Sequence, residues 1–338
     1  MSVNVAVVGA TGAVGDLIRR VLVERHFPVK SIKFLASEKS AGKTVEFNGK
    51  QYPVEPIRAE AFAGVQIVLS STPSSVSKEF SPIAARAGAI VVDNSSAWRM
   101  DPDCPLVVPE VNSDQLHHIR KGIVANPNCV AIPLCVALKP LHDLARVTRV
   151  VVATYQSSSG KGAKGLADFD AQLKAWAAGG PVPAATAHRA QLAGNVITLD
   201  WALDPNGYTE EENKVINETK KILGDATIGV CPTCVRVPVR VAHSEAITVE
   251  FARPVSVGEA RAALAKAPGV VLMDELKGES PQPIHAEGSD HTFVGRVRRD
   301  PSHPTALSLW VVADNLRKGA ASNAVQCAEE LVRRGIVR

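Results

Sequence analysis

The chain has 338 residues, of which 46% are hydrophobic and 21% charged, and its formal net charge is +4 with a pI near 8.7. This length exceeds that of most single hydrophobic cores, so two domains are expected, and the composition is that of a soluble globular protein. Lys and Arg are scattered along the chain rather than gathered into one stripe. The pattern therefore argues against nucleic acid as the main partner, whereas a small anionic substrate or cofactor fits it well.

No apolar run is long enough to span a membrane, and no secretion signal is recognisable at the N terminus. The six cysteines are spread out and do not form the pattern of a disulfide framework. Cys231 and Cys234 have the spacing of half a zinc site, but no second pair completes it, so no metal is expected. These features predict a protein of the reducing cytoplasm without a membrane partner.

The first part of the chain alternates strand and helix patterns. Residues 3–8 are valine-rich and broken only by Asn4, which is typical of a strand buried on both faces of a parallel sheet. Further strands are predicted at 31–36, 65–70 and 89–92, and helices at 16–24 and 77–87. This alternation predicts an α/β fold in which residues 1–129 form a Rossmann-type, doubly wound parallel sheet with right-handed crossovers.

Beyond residue 129 the predicted elements no longer alternate, which indicates a second, α+β catalytic and dimerisation domain over residues 130–314. Its predicted strands are 147–153, 246–251 and 306–312, its predicted helices are 164–178, 210–223 and 257–266, and 179–185 is a predicted exposed loop. Residues 315–338 have the pattern of one long amphipathic helix, which we expect to return to the first domain and complete it.

A glycine-rich segment, Gly9-Ala-Thr-Gly-Ala-Val-Gly15, lies directly between the first strand and the first helix. Glycines there permit a tight turn and let backbone N–H groups approach a pyrophosphate at the helix N terminus. The spacing is GxxGxxG rather than the common GxGxxG, so the prediction depends on its place in the strand–helix pattern. The predicted cofactor contacts are Gly9, Thr11, Gly12, Ala13, Val14 and Gly15.

The loop after the second strand indicates which dinucleotide binds. An NAD site usually has Asp or Glu at this strand end to bind the ribose hydroxyls. Hydroxyls and lysines dominate here instead, which suits a 2′-phosphate, so we expect NADP held by Ser37, Lys39 and Ser40. Glu38 is a charge of the opposite sign in the same loop, and a solvated lysine loop is the alternative interpretation.

Cys129 ends the segment Asn126-Pro-Asn-Cys, between a short apolar strand at 122–125 and a helical pattern at 132–141. A cysteine near a helix N terminus feels the positive end of the dipole, which lowers the thiol pKa, and the free N–H groups there can hold an oxyanion. If Pro133 is the first helical residue, Cys129 lies one turn upstream and the effect weakens. Most cysteines are small buried hydrophobic residues, so the wider context has to decide.

That context is a series of motifs in a fixed order. They are GATGAVG at 9–15, the loop 37–43, DNSSAWRM at 93–100, NPNC at 126–129, YQ at 155–156, SG at 159–160, CVRVP at 234–238, HSE at 243–245, VGRVRRD at 294–300 and DNLRKGA at 314–320. Together they resemble the aspartate-semialdehyde dehydrogenase family along essentially the whole chain. Val130 and Pro133 depart from the residues that commonly follow the family's nucleophile.

The resemblance implies a reaction of aspartate-pathway biosynthesis, which leads to diaminopimelate, lysine, methionine and threonine. L-aspartyl-4-phosphate would be reduced by NADPH to L-aspartate 4-semialdehyde, with release of phosphate, in a homodimer formed through the second domain. Cys129 would attack the acyl phosphate, and the resulting thioester is electrophilic enough to accept a hydride. A serine ester would be a poorer hydride acceptor.

The same resemblance assigns the remaining catalytic groups. His243 is implied as the general acid/base and Gln156 as the group that orients the acyl intermediate. Arg236 is implied to bind the substrate α-carboxylate, a task for which its forked geometry is suited. Arg236 and His243 are an odd number of residues apart, so a single regular strand would send them to opposite faces. Pro238 is a plausible place for the chain to break.

Glu211 and Lys214 lie one helical turn apart, which on spacing alone is typical of an exposed ion pair. The resemblance implies that Glu211 binds the substrate ammonium and that Lys214 and Arg99 bind phosphate. It also implies substrate binding by Asn128 and cofactor binding by Gly160 and Asn315.

Two other functions remain as alternatives. A related acyl-phosphate reductase, acting for example on N-acetylglutamyl phosphate, would have no use for a carboxylate such as Glu211 facing a substrate ammonium. A non-catalytic dinucleotide-binding paralogue predicts loss of at least one proposed catalytic side chain, and all of them are present.

Overall fold

A computed structural model describes residues 2–273 and 277–337. By internal contacts the chain divides into two compact units, Met1–Asn128 with Ala320–Arg338 and Cys129–Gly319. Within the described residues, no helix combines the length and apolar character needed to cross a membrane.

The described strands, in chain order, are β1 Val3–Val8, β2 Val29–Ala36, β3 Thr44–Phe47, β4 Lys50–Pro56, β5 Ile67–Ser70, β6 Ile90–Asp93, β7 Ile123–Ala125, β8 Val147–Gln156, β9 Gly229–Arg236, β10 His243–Phe251, β11 Val270–Leu272, β12 Thr292–Arg299 and β13 Ala306–Ala313. The α-helices are α1 Ala13–Glu24, α2 Ser74–Arg86, α3 Pro109–Asn112, α4 Ala131–Leu144, α5 Gly162–Ala177, α6 Glu210–Leu223, α7 Val257–Lys266, α8 Pro283–Ala286 and α9 Ser322–Arg333.

The first unit is built on a seven-stranded sheet with the order β3-β4-β2-β1-β5-β6-β7. All its neighbouring strands are parallel except the β3–β4 hairpin. Counting the parallel strands alone, the order is 3-2-1-4-5-6, which is typical of dinucleotide-binding sheets and confirms the predicted Rossmann-type fold. In such sheets the ligand binds where the strand order reverses, here at the carboxyl ends of β1 and β5.

The second unit contains a six-stranded mixed sheet with the order β11-β12-β13-β10-β8-β9. Its central strands β8, β10 and β13 are antiparallel, whereas β9 lies parallel to β8 and β11 parallel to β12. Alternate residues of the central strands are buried in one apolar core together with residues of α4, α6 and α7. The predicted second α+β domain is therefore confirmed.

The predicted continuous helix over residues 315–338 is wrong. A π-helical turn spans Arg317–Ala321, and α9 covers only Ser322–Arg333. Asp314 marks where the helical segment begins, because its Oδ1 atom accepts hydrogen bonds from the backbone amides of Leu316 and Arg317, as an N-cap side chain does.

The start of α4 also differs from one expectation. Val130 is the N-cap and Ala131 the first helical residue, so Pro133 is the third helical position rather than the first. A proline fits there because the first four N–H groups of a helix have no partner within it. Cys129 therefore lies directly before the N-cap, closer to the helix than a start at Pro133 would place it.

Strand β10 brings an acidic side chain into the core of the second unit. Glu245 is 1% exposed and lies opposite Thr154 of β8 and Val311 of β13. Among the described residues, neither of its carboxyl oxygens has a hydrogen-bond partner. Burial therefore raises the pKa of Glu245 well above its ordinary value, so the native state keeps a proton that the unfolded chain releases.

We expect this group to make wild-type stability fall as pH rises. Between the unfolded pKa of about 4.5 and the higher native pKa, only the native state binds the proton, which lowers stability by up to about 1.4 kcal/mol per pH unit. Glu245→Gln removes this titration. The free energy of unfolding of the variant, minus that of the wild type, should therefore increase from pH 5 to pH 8.

Urea unfolding at both pH values measures this difference. Glu250→Gln on the same strand is the matched control, because Glu250 is partly exposed and pairs with Arg149. A parallel pH dependence in wild type and Glu245→Gln would contradict the prediction.

Candidate active site

The glycine-rich segment forms a tight turn between β1 and α1. Gly9 has a φ of +82°, and a Cβ placed on it would lie 2.1 Å from the carbonyl oxygen of Ser71. A Cβ on Gly15 would lie 2.2 Å from the carbonyl oxygen of Gly9. Helix α1 begins after Gly12 with no side-chain cap. Its first N–H groups therefore suit a pyrophosphate, and the residues at this turn fit the cofactor expected from the sequence.

The loop after β2 lies beside this turn. Ser37 precedes a short 3-10 helix, Glu38–Ser40, and the Thr11 hydroxyl donates to the hydroxyl of Ser40 at 3.4 Å. Glu38, the charge that opposed the NADP prediction, forms an ion pair with Arg58 at 3.1 Å. Both side chains of the pair are largely exposed, so it adds little stability, but it offsets the negative charge of the loop.

In the same unit, the buried Arg99 is bound by backbone carbonyl groups. Its Nε donates to the carbonyl oxygen of Asn126 at 3.0 Å, and its Nη2 donates to that of Asn94 at 2.9 Å. The Asn126 side chain in turn bonds Asn94 at 2.8 Å and Asn323 at 2.7 Å. This amide network could not be predicted from the sequence, because its members come from three distant segments. Asn128 is also buried and is the last residue of the first segment of this unit.

Cys129 opens the second unit and is partly exposed. It packs against Gly319, where an added Cβ would lie 3.0 Å from the Cβ of Cys129. The buried cysteines offer a contrast, since burial raises the thiol pKa of both Cys135 and Cys234. Cys231, the other partly exposed cysteine, lies on β9 with its Sγ 3.9 Å from the Tyr208 hydroxyl.

Three of the predicted residues meet at one end of the six-stranded sheet. Gln156, the last residue of β8, lies opposite Arg236, the last residue of β9, and His243 begins β10 on the other side of β8. The two basic residues are on different strands, and Pro238 lies in the connecting segment, as predicted. A Cβ on Gly160 would lie 2.8 Å from Arg236 Nη1 and 3.4 Å from His243 Nε2, so the two side chains face the same glycine.

His243 is buried, and its two ring nitrogens have different surroundings. Nδ1 accepts the backbone N–H of Ser157 at 3.0 Å, while Nε2 has no hydrogen-bond partner among the described residues. Burial and then the positive charge of Arg236 hold the pKa of His243 well below its ordinary value. The ring is therefore neutral, and because a backbone amide can only donate, its single proton belongs on Nε2.

Asn315 joins the segment after β13 to this end of the sheet. Its Oδ1 accepts the hydroxyls of Ser157 at 3.1 Å and Ser159 at 2.9 Å, and the backbone N–H of Ala242 at 3.0 Å. The Nδ2 group forms no hydrogen bond within the described part of the chain. The amide N–H groups of Asn315 are thus the part of the side chain left for a ligand.

A second polar network surrounds Gln156. The hydroxyl of Thr154 donates to Gln156 Oε1 at 3.0 Å, and Gln156 Nε2 donates to Glu211 Oε1 at 3.1 Å. Lys214 lies 3.4 Å from the other oxygen of Glu211. Since a carboxylate can only accept, these hydrogen bonds fix the orientation of the Gln156 amide, with its oxygen towards Thr154 and its nitrogen towards Glu211. The spacing of Glu211 and Lys214 alone is typical of an exposed ion pair. Glu211 is only 5% exposed, however, so one member of the pair is buried.

Comparison with known proteins follows the division into two units. Residues 4–119 match a family model described as semialdehyde dehydrogenase, NAD binding domain, and residues 138–318 match one described as semialdehyde dehydrogenase, dimerisation domain. The chain is 50% identical over 340 residues to an aspartate-semialdehyde dehydrogenase of Aquifex aeolicus, with 100% of both chains covered. It is 47% identical over 334 residues to one of Synechocystis sp., covering 98% of each.

Solved structures agree with these matches. The crystal structure of aspartate semialdehyde dehydrogenase II from Vibrio cholerae superposes with a TM-score of 0.95 at 45% identity, covering 98% of this chain and 99% of that chain. A further crystal structure of that Vibrio protein is described as complexed with ASA, and it matches with the same TM-score of 0.95.

The Thr154 hydroxyl gives a test of the Gln156 network. Thr154→Val keeps the shape of the side chain but removes the donor to Gln156, so the activity expected from the sequence should fall by roughly 3- to 10-fold, the value of one neutral hydrogen bond. Thr154→Ser keeps the hydroxyl and should retain most of the activity. Steady-state kcat/KM of the three proteins measures this, and equal losses in both variants would show that only packing matters at this position.

Proposed function

The chain belongs to the aspartate-semialdehyde dehydrogenase family, and we propose on that premise that it converts L-aspartyl-4-phosphate reversibly to L-aspartate 4-semialdehyde and phosphate. The observation that supports this best is the meeting of Gln156, Arg236 and His243 at one end of the six-stranded sheet. This end offers a buried cation for a carboxylate and a neutral imidazole for proton transfer.

With all six cysteines free of disulfides, the reducing cytoplasm is the compartment that suits the protein.

Cys129 is the proposed nucleophile. It is partly exposed and directly precedes the N-cap of α4, where the helix dipole favours negative charge on sulfur. Its thiolate attacks the carbonyl carbon of the acyl phosphate, the C–O bond to phosphate breaks, and a thioester remains on the protein. NADPH, when bound, would supply the hydride that reduces this thioester.

His243 is the proposed proton donor and acceptor. Its neutral ring carries a proton on Nε2, the nitrogen without a partner among the described residues. That proton can pass to the oxyanion formed when the thioester is reduced, and the bare Nε2 can take one back as the aldehyde forms and the C–S bond breaks. The backbone amide of Ser157 keeps Nδ1 as an acceptor throughout.

Substrate recognition is proposed to use several charged side chains. Arg236 binds the α-carboxylate, and Glu211 binds the ammonium group, which an N-acetylated substrate lacks. Arg99 and Lys214 bind the phosphate, and Asn128 contacts the substrate. Gln156 orients the acyl group, with its own amide orientation fixed by Thr154 and Glu211.

NADP is proposed in preference to NAD. Ser37, Lys39 and Ser40 lie at the end of β2, where hydroxyl and ammonium groups suit a 2′-phosphate. The one acidic residue of the short helix, Glu38, is paired with Arg58, so the loop does not repel a phosphate strongly. Gly160 and Asn315 are further proposed cofactor contacts, with the amide N–H groups of Asn315 serving the nicotinamide carboxamide.

A reductase assay tests this proposal. The purified protein should reduce NADP in the presence of aspartate semialdehyde and phosphate, and more efficiently than it reduces NAD. Cys129→Ser should lower kcat by roughly three orders of magnitude or more, because a serine ester accepts hydride poorly, while NADP binding is retained. Cys231→Ser is the matched control and should leave the rate unchanged. Activity with N-acetylglutamate semialdehyde but not with aspartate semialdehyde would instead favour the alternative substrate.

A homodimer is proposed to form through the second face of the six-stranded sheet. Residues on this face alternate with the core residues of β8, β10 and β13 and remain partly exposed. Tyr155 is 40% exposed, its ring lies 5.2 Å from that of Trp310, and aromatic side chains are enriched in protein interfaces. The match of residues 138–318 to a dimerisation domain supports oligomerisation through this part of the chain.

The oligomeric state checks the proposed interface. Thr248 lies on this face of the central strand β10, 3.3 Å from the Ser308 hydroxyl of β13. Thr248→Glu would place a charge there, which is costly to bury in an interface, so the variant should have a lower mass than wild type by light scattering at equal concentration. Gln51→Glu, at an exposed position of the first unit, is the control. An unchanged mass for folded Thr248→Glu would exclude this face.

A further inference from the structure

Arg236 is only 1% exposed, and its guanidinium group contacts three other residues. Its Nε donates to Asp200 Oδ2 at 2.9 Å, and its Nη1 donates to the backbone carbonyl of Ser157 at 2.6 Å. The guanidinium carbon lies 4.6 Å from the centre of the Trp201 ring. Within the described part of the chain, Nη2 forms no hydrogen bond. The side chain is thus fixed in place while part of its donor set remains unused.

Asp200 is the centre of this arrangement. Its side chain is fully buried, and its Oδ1 accepts from Lys161 Nζ at 2.8 Å and from the backbone N–H of Arg189 at 3.0 Å. Its Oδ2 accepts from both Arg236 and His188 Nδ1, the latter at 3.1 Å. Burial alone would raise the pKa of Asp200, but the hydrogen bonds from His188, Lys161, Arg189 and Arg236 outweigh it and hold the pKa well below its ordinary value.

We propose that Asp200 is a positioning residue that orients the guanidinium of Arg236 for the substrate α-carboxylate. By binding Nε alone, Asp200 fixes the plane of the guanidinium and leaves Nη2 for the ligand. A mobile arginine would lose side-chain entropy on binding, and a preoriented one avoids most of that cost. This inference rests on the proposed role of Arg236, and it adds a residue that the sequence analysis did not single out.

The geometry around Asp200 also resembles a hydrolase triad, and that alternative fails. His188 lies between Asp200 and Ser158, with its Nε2 2.9 Å from the Ser158 hydroxyl. Ser158 is 0% exposed, however, and its hydroxyl donates to the carbonyl oxygen of Gly165 at 2.6 Å. A buried hydroxyl that already donates its proton to a carbonyl group cannot attack a substrate. The contact with Ser158 instead fixes the position of His188, and His188 in turn binds Asp200.

Asp200→Asn tests the proposal, because the variant keeps the size of the side chain and removes its charge. We expect KM for aspartate semialdehyde to rise roughly 10- to 100-fold, the range for weakening a hydrogen bond between charged groups, while kcat and NADP binding change little. Asp170→Asn is the matched control, since Asp170 forms an exposed ion pair with Arg240 at 2.8 Å. The control should leave KM unchanged.

A substrate analogue separates positioning from a general structural role. 3-Aminopropanal is aspartate semialdehyde without its α-carboxylate, so it has no group for Arg236 to bind. Asp200→Asn should therefore lower kcat/KM for aspartate semialdehyde but leave kcat/KM for 3-aminopropanal close to that of wild type. Equal losses with both substrates, or an unchanged KM for aspartate semialdehyde, would overturn the proposal.

Misfolding of Asp200→Asn and inactivity of the wild type can both be told apart from failure of the proposal. If Asp200→Asn does not fold, Asp200→Glu keeps the charge but displaces it, and the same selective loss with the natural substrate is expected. If the wild type itself does not act on aspartate semialdehyde, the proposed function fails. If the wild type is active and both folded variants match it, only the role of Asp200 fails.

Discussion

The second unit depends on the burial of charged and polar groups at the end of a sheet, where the regular ladder of backbone hydrogen bonds stops. An unpaired buried polar group is costly, so most of the polar atoms at this sheet end have a partner. Ser157 supplies several of these partners from one position directly after β8. Its N–H binds His243, its carbonyl oxygen binds Arg236, and its hydroxyl lies within hydrogen-bond distance of Asn315. One residue thereby contacts three side chains, which come from β9, from β10 and from the segment after β13.

Charge balance follows from the same constraint. Arg236 is a buried cation next to His243, and this proximity helps to keep the imidazole neutral. A buried cation without a counter-charge would be strongly unfavourable, and the carboxylate of Asp200 supplies that counter-charge to Arg236. Gly160 completes the arrangement by having no side chain, since a Cβ there would approach Arg236 Nη1 to 2.8 Å. The local geometry thus depends on a carboxylate and a glycine that do not themselves act on a substrate.

The sequence predicted those features that depend on local patterns. Helices α6 and α7 were predicted with their observed limits, because capping boxes at Thr209 and Ser256 and amphipathic spacing agree there. The β3–β4 hairpin was missed, although its Asn48-Gly49 turn, with positive φ at both residues, is a strong hairpin signal. The role of Asp200 could not be predicted, because its contact with Arg236 joins residues 36 positions apart through a segment without regular periodicity.

The proton position on His243 constrains how the proposed reaction can begin. Since Nδ1 accepts the Ser157 amide, the neutral ring has no free lone pair at Nε2 and cannot take the thiol proton there without breaking that bond. Formation of the thiolate is then left to the N terminus of α4, which starts at Ala131, directly after the Val130 cap. The helix begins two residues earlier than a start at Pro133 would allow. The dipole therefore acts more strongly on Cys129, because its influence falls off within one turn. In the proposed reaction, the nucleophile and the acid would therefore be activated by separate means, the first by a helix end and the second by a backbone amide that fixes its tautomer.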